Sequence, residues 1–321
     1  MQRTATLPVA AIVPTRNRPT VLARTLDSLR AQNSLPAQLI VVDASEGEST
    51  RAVVFAFAGR VRARNCQVRY EPAQRVGAAA QRNQGVALAR QPMICFFDDD
   101  IVFFADCLAR LWEALRSDER LGGVNALIIN QLYQPPRFVS RWMFRMMAGS
   151  KQVSYAGRVI GPAINLLPED RNELPTIVPV DWLNLGCTLY RREALPDPAF
   201  AGYFTGYSLM EDLTLSLAVA KQWKLANVRD ARIFHDSAAG AHKDKLVARS
   251  RMELVNRHRV MTEVLGRRNT VDYAKLASWE CFQLLACALR QRASPTFWKI
   301  FCGKLLGTYD ILVSRFERMA G

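Results

Sequence analysis

Residues 93–100 read Met93-Ile94-Cys95-Phe96-Phe97-Asp98-Asp99-Asp100, an apolar run that passes directly into three adjacent carboxylates. The run is typical of a buried strand, and ligands of parallel α/β sheets bind where the strands end. Adjacent like charges raise one another's pKa unless a cation compensates them. A divalent metal such as Mg²⁺ or Mn²⁺ is the simplest compensation, because hard cations prefer oxygen ligands. A turn or helix cap would account for one of these aspartates, but three indicate a site.

The sequence on both sides of this run alternates between strand and helix patterns. Pro19 is suited to the first turn of a helix whose apolar side chains recur at helical spacing, and Ala78–Ala89 predicts another helix. Short apolar runs predict strands at Pro8–Val13, Leu39–Val42, Gln67–Tyr70, Met93–Phe97 and Val124–Ile129. This alternation predicts the α/β class, with a mostly parallel twisted sheet flanked by helices.

The second half of the chain is less regular. Gln131–Pro179 predicts loops and short helices, after which Leu183–Tyr190 predicts a strand and Leu213–Lys221 a helix. Beyond Lys243 the pattern is helical and basic. We therefore expect one α/β domain over residues 1–242, which would carry the site after the strand at Met93–Phe97, and a basic, amphipathic helical region over residues 243–321.

Composition excludes several classes of protein. The 321 residues are 50% apolar, enough for a large core, and charges interrupt every stretch long enough to span a membrane. Met1–Val13 is expected to form the first strand and not a secretion signal. The seven cysteines are scattered without C-x-x-C spacing, which argues against a disulfide framework or a structural zinc site. We expect a reducing, cytoplasmic setting.

The basic C-terminal region needs its own explanation, because the net charge of +14 is unevenly distributed. Residues 241–321 hold 15 Lys or Arg against 7 Asp or Glu. Basic side chains beside Trp298, Phe297 and other apolar residues fit an element that contacts an anionic membrane on its cytoplasmic face. A solvated face of an ordinary helical subdomain is the alternative, and no recognition signature supports nucleic-acid binding.

Seven ordered segments resemble the family-2 glycosyltransferases, which are inverting enzymes of the GT-A fold, a Rossmann-like fold. The resemblance covers about residues 8–240 and becomes thin beyond Ala241. Its segments are Val13-Pro14-Thr15-Arg16-Asn17-Arg18-Pro19, Ile40-Val41-Val42-Asp43, Gly77-Ala78-Ala79-Ala80-Gln81-Arg82-Asn83-Gln84-Gly85, Phe97-Asp98-Asp99-Asp100, Asp181-Trp182-Leu183-Asn184-Leu185-Gly186, Glu211-Asp212 and Ile233-Phe234-His235.

The resemblance assigns roles to particular residues. Asp212 would be the base that takes the acceptor's proton. Glu211 would orient the acceptor or support the base. Independently of the resemblance, the Trp182 ring could stack on the acceptor sugar, because an aromatic face packs well on the apolar face of a sugar ring. Metal ligation would fall to Asp98, Asp100 and His235. The nucleotide sugar would contact Pro14, Thr15, Arg18, Asp43, Arg82, Asn83, Asp98 and Asp99.

Each weaker assignment has a structural alternative. His235 would otherwise end a buried strand, and Trp182 would pack in the core. Glu211 and Asp212 would otherwise occupy the first turn of a helix, where the helix dipole favours acidic residues.

The function implied by the resemblance is transfer of a sugar from a nucleoside diphosphate, of the UDP or dTDP type, to an acceptor hydroxyl. Mn²⁺ or Mg²⁺ would be the cofactor, and the acceptor a surface polysaccharide or a lipid-linked glycan. A sugar-phosphate nucleotidyltransferase is one alternative, although the first strand leads into Pro14-Thr15-Arg16-Asn17-Arg18 and not into a glycine-rich basic loop. A non-catalytic carbohydrate- or membrane-binding protein is the other.

Overall fold

The computed structural model describes residues 5–206, 208–236, 245–291 and 294–320, and they divide into two compact units. The first unit combines the residues up to Tyr133 with Ala156–Arg158 and the stretch from Leu167 to the end of the last strand. The second contains Gln134–Tyr155, Val159–Leu166 and the C-terminal helices. The domain boundary expected at residue 242 stays a prediction.

From Ala5 to Phe97 the strands and helices alternate as the sequence predicts. The strands are β1 (Ala5–Thr15), β2 (Ser34–Asp43), β3 (Gln67–Pro72), β4 (Met93–Phe97), β5 (Ile101–Phe103), β6 (Leu121–Ile128), β7 (Val159–Ile160), β8 (Ile164–Asn165), β9 (Ile177–Pro179), β10 (Cys187–Arg191) and β11 (Lys224–His235). The α-helices are α1 (Pro19–Arg30), α2 (Ser49–Val61), α3 (Ala78–Leu88), α4 (Cys107–Ser117), α5 (Phe138–Ala148), α6 (Glu211–Val219), α7 (Leu246–Arg259), α8 (Thr270–Gln291) and α9 (Pro295–Ala320). Short 3₁₀ turns lie at Arg62–Arg64 and Arg192–Ala194, and a π-helical turn at Val260–Val264 follows α7. The sequence analysis did not predict strands β5, β7, β8 and β9.

The main sheet of the first unit has the order β3-β2-β1-β4-β10-β6-β11-β5, with β9 on β11. Strands β3, β2, β1 and β4 are mutually parallel, as are β6 and β11. Strand β10 runs antiparallel to β4 and β6, and β5 and β9 run antiparallel to β11. The predicted α/β class with a mostly parallel sheet is therefore confirmed.

Apolar side chains cover both faces of this sheet. Along β1, Val9, Ala11 and Val13 belong to one buried cluster, whereas Ala10 and Ile12 belong to the other. This alternation follows from the two-residue period of a strand, and burial on both faces is typical of parallel sheets. Helix α3 approaches β1 so closely that a Cβ at Gly85 would overlap the Ile12 side chain.

Two expectations about local structure need correction. The stretch expected as a strand at Leu183–Tyr190 is extended only from Cys187 onward. Before that point the Ser216 hydroxyl of α6 bonds to both the N–H (2.9 Å) and the carbonyl (3.2 Å) of Leu183, and these bonds hold the segment as a loop. The stretch expected as loops and short helices from Gln131 to Pro179 also contains β7, β8 and β9.

The carboxyl ends of β1, β2 and β3 lie at one edge of the sheet. Thr15 pairs in register with Asp43, and Asp43 pairs with Pro72. The residues that end these strands are therefore brought together, as expected for a ligand-binding edge.

The second unit is helical apart from the β7–β8 ribbon. Glu280 is buried against two cations, with Arg257 Nε at 3.2 Å and Lys304 Nζ at 2.7 Å, and Lys304 also contacts Glu253 at 3.2 Å. These pairs compensate charge inside the helical unit. Within the described part of the chain, every helix is too short or too polar to cross a bilayer.

Candidate active site

The aspartate cluster and His235 meet because of strand pairing. Asp98, Asp99 and Asp100 follow β4, and His235 ends β11 opposite Ile101 of β5. The antiparallel register thus places the imidazole beside the carboxylates, with His235 Nε2 3.2 Å from Asp100 Oδ1 and 3.8 Å from Asp98 Oδ2. One ligand atom from each of the three side chains lies within 4.8 Å of the others. The predicted metal-ligand group is therefore assembled in space.

Two neighbouring polar residues fix the orientation of His235. The Gln131 side-chain amide lies 2.9 Å from Nδ1. The Asn130 side chain accepts a hydrogen bond from the His235 N–H at 3.0 Å and donates one to its carbonyl at 2.9 Å. These contacts orient the imidazole so that Nε2 faces the carboxylates. Metal-binding histidines are commonly oriented by hydrogen bonds of this kind. Sequence analysis missed Asn130 and Gln131, although they lie two and three residues beyond the end of β6 and the strand-end rule would have indicated them.

The electrostatics of this group favour a cation. Hydrogen bonds to Asp100 and Asp98 raise the pKa of His235 to about 10. Burial alone would raise the pKa of Asp100, but the hydrogen bonds and charges of His235 and Arg18 outweigh burial and lower it. Two carboxylates and one imidazole are ligands that Mn²⁺ or Mg²⁺ accepts, so the residues present fit a divalent cation.

Asp99 faces the loop after β1. Its carboxylate accepts hydrogen bonds from Thr15 Oγ1 at 2.6 Å and from Arg18 at 2.7 Å, while the same guanidinium reaches Asp100 at 2.9 Å. Burial raises the pKa of Asp99 to about 6 despite the nearby Arg18. Both carboxylate oxygens are thus engaged with residues expected to hold the nucleoside, and direct contact of Asp99 with the nucleotide stays a prediction.

Arg82 connects the aspartate cluster to α6. Its guanidinium lies 2.7 Å from Asp98 Oδ1 and 3.2 Å from Glu211 Oε1, and its Cζ lies 5.7 Å from the centroid of the Phe200 ring. The side chain is only 4% exposed. The planar guanidinium group carries several N–H donors and can therefore bridge two carboxylates, whereas a lysine ammonium acts only as a point charge. His235, Asp98, Arg82 and Glu211 therefore form one continuous chain of charged contacts.

The acidic pair Glu211-Asp212 begins α6. Asp212 accepts a hydrogen bond at 2.7 Å from the N–H of Leu213. Burial, together with the neighbouring Asp212 charge, raises the pKa of Glu211 despite Arg82. Burial also raises the pKa of Asp212, although the Leu213 N–H and Arg82 oppose the shift. A carboxylate with a raised pKa at the edge of a charged cluster is suited to accept a proton.

Asp43 lies at the end of β2, close to the predicted nucleoside-binding loop. It accepts hydrogen bonds from the Ser45 N–H at 2.9 Å and from the Tyr70 hydroxyl at 3.1 Å. Burial and the Asp43 charge raise the pKa of Tyr70 to about 12, so the phenol stays a hydrogen-bond donor. Pro14 is buried at the adjacent position of β1. Tyr70 was missed in the sequence because it reads as an ordinary strand residue.

Gln81 is a further residue that the sequence analysis did not single out. Its buried amide donates to the carbonyls of Thr15 at 3.0 Å and Val42 at 2.7 Å. It therefore joins the carboxyl ends of β1 and β2. Its place beside Arg82 within the Gly77–Gly85 segment was the available signal.

Asn83 has a different environment from the one expected. Its side chain donates to the Phe200 carbonyl at 2.7 Å and accepts from the Phe200 N–H at 2.9 Å. Both ends of the amide thus hold the loop that packs Phe200 against Arg82. Its predicted contact with the nucleotide stays a prediction.

Trp182 is only 4% exposed. In this structure the ring packs inside the protein, as the structural alternative expects. Its stacking on an acceptor sugar stays a prediction.

A family profile matches part of the chain. Residues 10–155, a little less than half of the chain, match the profile of Glycosyl transferase family 2, and we call them the family 2 segment. The family 2 segment contains the aspartate cluster, Arg18, Asp43 and Arg82, whereas α6 and His235 lie beyond it.

Proteins similar to this chain include a curated relative and two solved structures described below. Validoxylamine A glucosyltransferase of Streptomyces hygroscopicus subsp. limoneus is 33% identical over 98 residues, which cover 29% of this chain and 20% of that protein. The match thus spans about a fifth of the relative's length. Mannosyltransferase PcManGT from Pyrobaculum calidifontis, solved with GDP-Man and Mn²⁺, gives a TM-score of 0.54 at 15% identity over 97% of this chain and 88% of that one.

GalNAc-T7, solved with UDP, GalNAc and Mn²⁺, gives a TM-score of 0.51 at 15% identity over 73% of this chain and 44% of that one. At 15% identity, these two structural similarities establish the fold alone. The chain that carries the family 2 segment has the predicted GT-A fold.

Proposed function

We propose that this protein is an inverting glycosyltransferase that moves a sugar from a nucleoside diphosphate to an acceptor hydroxyl. The observation that carries the proposal is the chain of charged contacts from His235 through Asp98 and Arg82 to Glu211. It joins a group of metal-type ligands to the acidic pair of α6, although the residues lie far apart in sequence. The family 2 segment and the GT-A fold support the same reaction.

The donor side of the site would be formed by the edge of the sheet. Asp43 and Thr15 end neighbouring strands, and Arg18 follows in the next loop. A carboxylate at this position can accept a hydrogen bond from a base, and the Arg18 and Arg82 guanidinium groups suit phosphate oxygens. We propose a donor of the UDP or dTDP type for this edge.

A divalent cation, Mn²⁺ or Mg²⁺, would be held by Asp98, Asp100 and His235. The fit rests on the convergence of their ligand atoms and on the negative charge that raises the pKa of His235. Such a cation stabilises the negative charge that develops on a departing diphosphate.

Asp212 is proposed as the base of a single displacement. The acceptor oxygen forms a bond to the anomeric carbon as the bond to the diphosphate breaks, and the acceptor proton passes to an Asp212 carboxylate oxygen. Attack from the face opposite the leaving group inverts the anomeric configuration. The raised pKa of Asp212 increases its affinity for that proton, and a positioned base contributes on the order of 10²–10⁴-fold. Glu211, held by Arg82, would position the acceptor or the base.

The acceptor is proposed to be a growing surface polysaccharide or a lipid-linked glycan, reached from the cytoplasmic side of the membrane. This placement follows the predicted cytoplasmic setting and the predicted membrane contact of residues 243–321, and both stay predictions.

A panel of nucleotide sugars tests the proposed reaction. Hydrolysis or transfer is measured with Mn²⁺, with Mg²⁺ and with a chelator, and the anomeric configuration of the product is read by NMR. We expect metal-dependent release of a nucleoside diphosphate and an inverted product. Asp230→Asn is the matched control for Asp212→Asn, because the contact of Asp230 with Arg110 is exposed and lies outside the charged cluster.

Other outcomes would replace the proposal. Pyrophosphate release from a sugar phosphate and a nucleoside triphosphate, without transfer from nucleotide sugars, would identify a nucleotidyltransferase. A retained anomeric configuration would exclude the single displacement. Unchanged turnover in Asp212→Asn would exclude Asp212 as the base.

A further inference from the structure

The second compact unit carries most of the chain's surplus positive charge. Its sequence segments hold 19 Lys or Arg against 7 Asp or Glu, whereas the rest of the chain holds 24 against 22. The catalytic unit is therefore nearly neutral, and the helical unit is the part of the protein that attracts polyanions.

Within this unit, α5 and its N-cap arrange cations and aromatic rings on one side. Arg137, Arg141 and Arg145 recur every four residues, and Phe138 and Trp142 each follow an arginine by one position. At a helical period of 3.6 residues, these side chains project within an arc of about 140°. Phe138 is 86% exposed and Trp142 is 61% exposed. The arc thus combines three guanidinium groups with two open aromatic side chains.

The opposite side of α5 is packed inside the same unit. Met143 and Met147 are buried. The Phe144 ring lies 5.7 Å from the Tyr155 ring and 6.1 Å from the Trp279 ring, measured between centroids. These contacts fix the rotation of the helix, so the arc of arginines and aromatics is held outward.

The three arginines have no acidic partner among the described residues. The local sequence explains this, because no Asp or Glu occurs between Glu119 and Glu169. Some other exposed arginines are paired, as Arg251 is with Asp310 at 2.6 Å. The cations of α5 are therefore available to an external anion.

We infer that this face of α5, defined by Arg137, Phe138, Arg141, Trp142 and Arg145, docks on an anionic lipid bilayer. Guanidinium groups attract anionic headgroups, and aromatic rings partition into the headgroup region beside them. A nucleic acid could pair with the three arginines, but it would not bury the side chains of Phe138 and Val139, of which Val139 is 64% exposed. A lipid bilayer accommodates both the charges and the apolar side chains. This inference assigns a surface that the sequence analysis did not, since that analysis placed membrane contact in residues 243–321. It does not depend on sugar transfer.

Vesicle co-sedimentation of the full chain tests the inference. The vesicles contain phosphatidylcholine alone or mixed with phosphatidylglycerol, and binding to the mixed vesicles alone, weakened by salt, is expected. The triple substitution Arg137→Gln, Arg141→Gln and Arg145→Gln should weaken partitioning about 100-fold, because each basic residue near an anionic surface contributes roughly fivefold. The corresponding triple lysine variant keeps the charge and should retain most of the binding.

The matched control replaces three exposed, unpaired arginines of the catalytic unit, Arg62, Arg75 and Arg90, with glutamine. It changes the net charge equally and should bind as the unmodified chain does. Far-UV circular dichroism and thermal unfolding establish that each variant is folded. The double variant Phe138→Ser, Trp142→Ser should bind the anionic vesicles more weakly, because it lacks the rings that enter the headgroup region. Its binding should keep the same salt dependence, because the three arginines remain.

Four results would overturn the inference. They are absence of binding to the anionic vesicles, equal loss in the control triple variant, unchanged binding in the α5 glutamine variant, and binding that depends on Leu305 and Tyr309 of α9 instead. Tight binding of duplex DNA without binding to vesicles would also replace the lipid assignment with a nucleic acid.

Discussion

Replacing Arg82 with methionine should destabilise the fold by leaving two carboxylates without their cation. The Arg82 guanidinium contacts Asp98 at 2.7 Å and Glu211 at 3.2 Å from a site where its side chain is 4% exposed. Breaking a buried ion pair by removing one partner costs about 3–5 kcal/mol. We expect a loss near the lower end of that range in the free energy of unfolding, because Glu211 can take up a proton and relieve part of the cost.

The same substitution should show a diagnostic pH dependence. Burial raises the folded-state pKa of Glu211 above its unfolded value, and loss of the Arg82 charge raises it further. A carboxyl with a raised pKa destabilises the folded state once the pH exceeds the unfolded-state pKa. Below about pH 8 the Glu211 carboxyl is protonated with or without Arg82, so its contribution to the cost of Arg82→Met should appear only as the pH rises through the folded-state pKa of about 8.

Urea unfolding followed by circular dichroism measures this effect at neutral and at alkaline pH. Arg110→Met is the matched control, because the Arg110–Asp230 pair is exposed on both sides at 3.4 Å and such pairs contribute about 0–1 kcal/mol. In a Glu211→Gln background, Arg82→Met should lower the free energy of unfolding by less, because one of the two carboxylates that Arg82 compensates is already absent. A loss no larger than that of Arg110→Met, or one that is independent of pH, would refute the bridging role of Arg82.

Three other substitutions test the base, the metal ligands and the packing. Asp212→Asn should lower kcat on the order of 10²–10⁴-fold while donor binding persists. In the unmodified enzyme, kcat should rise as the pH rises through the raised pKa of Asp212, because the deprotonated form is the base; a flat pH–rate profile with Asp212→Asn fully active would contradict this. His235→Ala should abolish the thermal stabilisation that Mn²⁺ gives the unmodified chain, and an equal shift in both proteins would show that the cation binds elsewhere. Gly85→Ala should lower the unfolding free energy by about 1–3 kcal/mol, because the new methyl group overlaps Ile12; an unchanged melting temperature would show that α3 can move away from β1.

Local sequence predicts the strand ends because the relevant signals are short-range. The apolar runs ending at Val13, Val42 and Phe97 predict strands that the structure contains, with polar residues immediately after them. In a parallel sheet all such ends fall at one edge, so the approach of Thr15, Asp43 and the aspartate cluster follows from the alternation of strands and helices.

Several site contacts could not be predicted in this way. The buried state of Trp182 depends on residues from several elements, and a single indole side chain gives no local signal that separates packing from binding. The amide of Asn83 could have faced either a ligand or the backbone of Phe200, and only the loop that carries Phe200 decides between them. The outward arc of α5 is visible in the sequence as a repeat, but its exposure depends on the packing of Phe144.

The sequence by itself determined the α/β class, the alternation of strands and helices up to Phe97 and the identity of the charged residues that follow those strands, because hydrophobic periodicity and strand-end chemistry are local properties. Only the tertiary structure decided which of those residues meet. His235 reaches Asp100 through the antiparallel register of β11 with β5, and Arg82 joins Asp98 to Glu211 across a separation of 129 residues between Arg82 and Glu211. Such contacts depend on long-range strand pairing and on the compensation of buried charge, and both are settled only when the whole sheet has formed.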